Sequence, residues 1–496
     1  MKNHSKSESN SLKRCFGLRE SVTITVGTVI GVGLFTVGAN MVGVMGNSVI
    51  FATLAALAVS IYPALLYAEM SSMLPFAGGT YQYATYGINR LFGMLAGWSF
   101  IISMVSVASG EALAFSFYFK KLFEALGFTL CLDDRIIACA IVLGFIALGV
   151  KGVEITGKLQ NGFMFFFWGV AVVWFFSMIP SFNLSNINLV HGSGIINLKE
   201  FLPSVAMIWW CFAGFETCCA MGEEIKYPHI NLPRALFLAP FIVFTVNGLF
   251  QWVLLAAVPP DSMKLLAESA APYAEGMKIA GIAGFPLIML CAGIAFGGDF
   301  STLNASITAP ARYLFTMSRD GVIPRVFSYV HSKYNTPWIS VIFLGLLMIV
   351  LIGTNSIKYI ASLSLSATLF YYILGIVSAL RLRKRYPNAN RCYKAPLINI
   401  GATLSIVIYI IMIAQLELSA VLAGIVWCLS GAAIYIYYQR KNNLETKNIE
   451  LPEIGFDFPQ ESEKIKMDRE YRNWKIIVAI CTLFVTALYI VPCFAD

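Results

Sequence analysis

Inside the apolar stretches of this 496-residue chain, few side chains can do chemistry. Glu111, Glu216 and Asp299 are acids placed within hydrophobic runs, where an ionisable group costs at least about 2.5 kcal/mol on insertion scales. That cost marks each as a candidate site. For Glu111 and Asp299 three roles stay open: proton acceptor, partner of a cationic substrate group, or neutral hydrogen-bonded acid, the form an apolar surrounding favours. Glu216 reads as an acid that ties down backbone N–H groups freed by a broken helix, with proton carriage as the alternative. Ser301 and Thr302, two and three residues past Asp299, add hydroxyls. The histidines (His4, His191, His229, His331) fall in loops or the tail, and the 11 cysteines include no C-x-x-C pair. A nucleophile beside a base, or a metal cluster, is not indicated. No enzyme activity, cofactor or bound metal is expected.

A second kind of chemistry belongs to the backbone. Gly27-Thr28-Val29-Ile30-Gly31-Val32-Gly33-Leu34-Phe35 puts three glycines into an apolar run of helix length. In hydrocarbon an unwound segment survives only where it lines a cavity, because every N–H and C=O needs a partner. Without a Cβ, such a segment lets a ligand reach freed N–H groups, and the half-helix ends beside it carry opposite partial charges. An ion or zwitterion site is the functional reading. The alternative is a close packing seam, since small residues at i and i+4 let helices touch.

The elements that position these residues follow from composition. At 58% hydrophobic and 12% charged, the chain is too apolar for a soluble globular protein, whose charged share is about 25%. It reads as an all-α polytopic membrane protein in a lipid bilayer. Its net charge of +8 comes from Lys and Arg flanking hydrophobic runs, so no nucleic-acid partner is expected. With a cytoplasmic N-terminus, only Lys120, Lys121, Arg135, Lys199, Lys264, Lys278 and Lys358 of the 35 Lys and Arg fall outside. This bias orients the chain in the inner (plasma) membrane. Apolar windows of about 20 residues divide it into a cytoplasmic tail (1–18), a twelve-helix domain (19–438), a polar, solvated linker (439–473) and a thirteenth span (474–492) dispensable for transport. Pro75 to Tyr83 reads as a short connector or re-entrant segment. Glu69, Glu223 and Glu224 read as members of local ion pairs at helix ends.

The sixth span holds a second break, in Trp209-Trp210-Cys211-Phe212-Ala213-Gly214-Phe215-Glu216. Interrupted helices at positions one and six, each opening a block of five (about 19–180 and 199–380), form the pattern of an inverted-repeat transporter with its site at the midplane. Trp210 is placed to close over a bound substrate.

At these residues the chain resembles the amino acid–polyamine–organocation superfamily, and within it the bacterial amino acid permeases. The resemblance rests on Gly27 to Phe35, on Pro75-x-x-Gly78-Gly79-x-Tyr81-x-Tyr83, on Phe212 to Glu216 followed by Glu223-Glu224-Ile225-Lys226-x-Pro228, and on Ala311-Arg312-x-Leu314-Phe315-x-Met317-Ser318-Arg319-Asp320-Gly321. It implies two five-helix inverted repeats plus two helices, and secondary transport of an amino acid or related amine by symport or exchange. A channel or transport-like sensor could keep the same broken helices. The resemblance further implies that the N–H groups of Val32 and Gly33 take a substrate carboxylate, and that carbonyls of Val29, Trp210 and Ala213 take its amino group. Gly31, Phe212, Gly214 and Phe215 shape the two turns. Where the family often has Ser or Thr between the glycines this chain has Val32, which leaves Thr28 as the nearby hydroxyl. Proton-coupled members often carry a basic residue in span five; here Phe163 to Trp174 is apolar or aromatic, and Lys158 reads as an interface anchor. Proton coupling, sodium coupling through span-one carbonyls with Ser301 and Thr302, and obligate exchange all remain open.

Overall fold

The chain breaks where its glycines predict. In the computed structural model, which describes residues 14, 16–151, 153–187, 198–445, 449, 451 and 457–490 (without the side chains of 153–157 and 198–200), helix α1 spans Leu18–Val29. The Gly17 N–H at its start donates to Glu20 Oε2 at 2.8 Å. Ile30 leaves helical angles at φ −85° and ψ 88°, and winding resumes as a π-helical segment, Gly33–Gly38, that runs into α2, Ala39–Met45. Break and packing seam coexist. A Cβ at Gly27 would sit 2.2 Å from Gln160 Nε2 and 2.4 Å from Ser301 Oγ, so only glycine lets these helices meet there.

Helix α3 (Val49–Met73) is followed by the Pro-Gly connector, which turns at Gly78 with φ +99° into the short buried helix α4 (Gly79–Gly87). Helix α5 (Arg90–Ala125), capped by the Asn89 side chain, is buried almost continuously from Gly93 to Ser116. Ser99, Ser103, Ser106, Ser109 and Gly110 keep its surface small, which lets neighbouring helices approach where no water drives them together. Helices α6 (Asp134–Val150) and α7 (Val153–Met178) follow.

Helix α8 (Leu198–Trp210) ends at the second break, where Gly214 adopts φ +100°. Beyond it the chain continues as a six-residue 3-10 helix, Phe215–Ala220. Helix α9 (Pro228–Ala257) leads through two short helices, α10 (Met263–Glu268) and α11 (Pro272–Ile279), to α12 (Phe285–Gly293). A second π-helical segment, Ile294–Asp299, joins α12 to α13 (Phe300–Arg319). Helices α14 (Trp338–Ile352), α15 (Ile357–Arg385), α16 (Ile398–Ile413), α17 (Leu418–Lys441) and α18 (Glu461–Ile490) complete the chain. Nine helical stretches among the described residues are long and apolar enough to cross a membrane, with two shorter apolar ones beside them. On α16 and α17, Ile400, Leu404, Val426 and Leu429 are exposed, the inside-out pattern of a lipid-facing surface.

One expected boundary moves. The stretch 439–473 was expected to be solvated linker, yet α18 starts at Glu461 and is continuous with the thirteenth span. Glu461 and Glu463 favour the helix N-terminus. Asp468 and Arg472 add an i,i+4 pair of opposite charge. This polar half docks on α9: Tyr227 Oη donates to Glu463 Oε2 at 2.7 Å, and Arg234 pairs with Asp468. On the same face Glu69, Glu223 and Glu224 form ion pairs, but with arginines distant in sequence rather than the local partners expected. Glu69 binds Arg383 and Arg391, Glu224 binds Arg312 at 3.2 Å, and Glu223 binds Arg319 at 3.2 Å. Of the expected N-terminal tail, residues 1–13 and 15, with His4, lie outside the described residues, as do His191 and residues 491–492.

Candidate functional site

Because α1 stops at Val29, the N–H of Val32 has no carbonyl one turn back. It donates instead to Glu111 of α5, at 2.8 Å to Oε1 and 2.9 Å to Oε2. A carboxylate thus already sits on the N–H group expected to hold one. Gly31 makes room for it, since a Cβ there would lie 2.2 Å from Glu111 Oε1 and 2.4 Å from Thr302 Oγ1.

Beside this contact the two breaks enclose a cavity of about 10 Å³, room for about one water. From the breaks it is lined by Thr28, Val29, Val32, Gly33, Trp210 and Ala213. From α5 come Ser103, Met104, Val107 and Glu111, and from α15 Ser364 and Thr368. Trp210 is buried and donates its Nε1–H to Ser364 Oγ at 3.1 Å. Ser103 bonds both Thr368 (2.6 Å) and Ser364 (3.2 Å). The wall opposite the break is therefore a short hydroxyl chain flanked by apolar Met104 and Val107. Thr28 spends its hydroxyl proton on Ile24 O at 2.7 Å. Trp209 faces away, against Tyr372 and Tyr409.

The other expected residues lie behind this cavity. Phe215 packs on Tyr67 and Tyr372, and Phe212 is buried. Glu216 does more than meet the break: its carboxylate accepts the phenol protons of Tyr371 (2.5 Å) and Tyr372 as well as interacting with its own backbone N–H. Tyr372 Oη in turn accepts the Gly214 N–H at 3.2 Å. Asp299, the last residue of the second π-helical segment, is buried and interacts with Glu111 of α5. Ser301 and Thr302 reach α1: Thr302 Oγ1 lies 2.8 Å from Gly27 O and 2.9 Å from Ile30 O, and Ser301 Oγ 3.2 Å from Gly27 O.

Sequence reasoning missed Gln160. Its Nε2 donates to Ser301 Oγ at 2.7 Å, and its Oε1 accepts from Asn304 at 2.8 Å. This amide, rather than Lys158, is what span five presents to the first break.

A family model described as amino acid permease matches residues 16–416. The chain belongs to the amino acid permease family. It is a multi-pass membrane transporter, not an enzyme. The permease is 24% identical over 467 residues to the branched-chain amino acid permease BcaP of Bacillus subtilis, an alignment covering 87% of this chain and 94% of BcaP. The methylthioribose transporter of the same organism is 24% identical over 474 residues, covering 89% and 96%. Its serine/threonine exchanger SteT is 26% identical over 404 residues, covering 79% and 88%. The permease thus resembles carriers whose names specify different cargoes, which leaves its own substrate to be argued from its site.

Proposed function

We propose that the permease is a secondary active transporter of a neutral amino acid, working by alternating access between two inverted repeats with its N-terminus in the cytoplasm. The observation that carries this reading is the Glu111 carboxylate on the Val32 N–H. Here Glu111 stands in for the substrate carboxylate. Substrate entering the cavity displaces it, its ammonium meets the carbonyls of Val29, Trp210 and Ala213, and its side chain lies among Ser103, Met104, Val107 and Thr368. That wall carries hydroxyls and apolar groups, which suits a small or medium neutral side chain.

Coupling follows from the same geometry. A displaced Glu111 moves toward Asp299, and a substrate carboxylate arriving beside two buried acids makes three negative groups in low dielectric. Such a cluster binds protons along with the substrate, so the reading is proton symport. Sodium is the alternative coupling ion: Thr302 has one hydroxyl proton for two carbonyls, Gly27 O and Ile30 O, and Ser301 Oγ also lies on Gly27 O, so hydroxyl and carbonyl oxygens converge there. A second reading, transport of an amine with Glu111 as its counter-ion, is favoured by the same acid lying in the cavity wall.

A thermal-shift screen of the purified permease against amino acids and amines separates the two, since a ligand of the folded state raises apparent stability. Uptake and counterflow into proteoliposomes then test the carrier mechanism. Stabilisation by amines lacking a carboxylate, with none by amino acids, would overturn the first reading. Non-saturating conductance without counterflow would overturn both.

A further inference from the structure

Far from the transport cavity, a larger one of about 410 Å³ lies where α3, α9, the chain around Tyr393 and the polar half of α18 meet. Its volume is that of a small-ligand site. The lining is mixed. Leu65, Ala68, Ile230 and Phe237 are apolar, and Phe237 is exposed. Arg234, Lys464, Tyr393 and Tyr471 are polar or basic, with Asp468 the one acid in the lining. Arg234 is held in place: one guanidinium nitrogen, Nη2, pairs with Asp468, and the group stacks over the Tyr471 ring at 4.9 Å. Its Nη1 is buried and has no hydrogen-bond partner among the described residues. A buried guanidinium N–H without an acceptor is costly, and Arg234 lines the cavity together with Lys464.

A guanidinium and an ammonium in one lining suit an anionic acceptor, and the apolar lining residues suit what it is attached to. We propose that this cavity binds the phosphate headgroup of an anionic phospholipid, with the Arg234 guanidinium and Lys464 on the phosphate and the upper acyl chain along Leu65, Ile230 and Phe237. Arg is suited to phosphate because its planar fork can serve two acceptors at once, one already being Asp468. The cavity is on the face that bears Arg14, Arg383 and Arg391, which the charge bias assigns to the cytoplasm, where anionic lipids meet basic pockets between helices. The site is independent of the substrate and of the coupling ion.

The test is thermal unfolding of the full-length permease in neutral detergent with phosphatidylglycerol, phosphatidylcholine or inorganic phosphate added, alongside native mass spectrometry. Phosphatidylglycerol is expected to raise Tm saturably, with one lipid retained per protein, whereas phosphatidylcholine and millimolar phosphate leave Tm within a degree. Lys464→Gln should cut the phosphatidylglycerol shift at least threefold. Arg234→Lys, which keeps the charge opposite Asp468 but removes the second nitrogen, should do the same. Arg440→Gln, on a different helix, should leave the shift intact. An equal shift in wild type and in both cavity variants overturns the proposal, and so does an equal shift with phosphatidylcholine. A phosphate-only effect of the same size overturns the lipid as the source.

Discussion

Glu111→Gln separates a carboxylate that guards an N–H group from one that binds substrate, because the two roles change affinity in opposite directions. In the structure both Glu111 oxygens share the Val32 N–H, at 2.8 and 2.9 Å. A hydrogen bond to a charged acceptor contributes about 1.5–3 kcal/mol and a neutral one about 0.5–1.5 kcal/mol. With Glu111 ionised, replacing the carboxylate by an amide carbonyl weakens the internal competitor by about 1–1.5 kcal/mol. A substrate carboxylate that must displace it gains the same amount, or about 5- to 10-fold in affinity at 1.4 kcal/mol per decade. The pH response changes as well. If substrate brings a proton to the Glu111–Asp299 pair, wild-type affinity falls as pH rises, by at most about tenfold per pH unit for one proton, whereas the amide variant, left with Asp299 alone, has a shallower slope. The assay is equilibrium binding of the best amino acid from the thermal screen at pH 5.5, 6.5 and 7.5, for wild type and variant. Binding weakened tenfold or more in Glu111→Gln, with the wild-type pH slope preserved, would refute the displacement argument and make Glu111 a counter-ion for the substrate's ammonium.

Asp299→Asn should keep counterflow but abolish accumulation driven by a pH gradient; unchanged pH-driven accumulation in proteoliposomes would remove Asp299 from the coupling path. Under proton symport, replacing sodium by choline should leave uptake unchanged, and a sodium-dependent Vmax would show that Gly27 O, Ile30 O, Ser301 and Thr302, whose oxygens converge, coordinate an ion. Gly31→Ala puts a methyl where Glu111 and Thr302 now sit, so binding should be lost at a stability cost of about 1–3 kcal/mol, as for other overpacked sites; wild-type uptake would sink the placement of the site. Trp210→Ala should weaken substrate binding by opening the cavity, while Trp209→Ala should act mainly on Tm, at about 3–5 kcal/mol for a large buried aromatic. Truncation after Gln439 should lower Tm, because Trp252 and Gly248 lose their bonds to Leu488 and Tyr489, and should keep uptake in the protein that survives purification.

Both helix breaks were legible in the sequence because hydrocarbon leaves few explanations for glycine clusters at Gly27, Gly31 and Gly33 or for Gly214 beside Glu216. Trp210 at the cavity and Trp209 outside it also follow from position relative to the break. What Glu216 binds was not legible: Tyr371 lies 155 residues away, and no local pattern links the two. Gln160 was hidden differently. It stands near Lys158 at the polar start of α7 and passes for an interface residue, yet it shares a buried face with Met164, Phe167 and Trp174, at the i, i+4, i+7 spacing of a helix. A polar side chain in register with that apolar stripe was the available signal. The onset of α18 was obscured because polarity alone does not distinguish a solvated helix from a linker; the distinction lies in acid–base spacing such as Asp468 to Arg472.

The segment after the second break is wound more tightly than its neighbours, and in the proposed carrier a change in that winding would set a mechanical stroke. Six residues, Phe215–Ala220, run as 3-10 helix, at about 2.0 Å per residue against about 1.5 Å in an α-helix. Rewinding them as α-helix shortens the segment by about 3 Å. The far end of that segment is tied to the connector, where the Gly78 N–H donates to Ala220 O at 3.3 Å, and the near end abuts the Gly214 turn. A change of winding in this one piece would therefore draw the face that holds the Arg319–Glu223 and Arg312–Glu224 pairs about 3 Å toward the bilayer centre, a length comparable to the gap that must open or close for a small solute to pass.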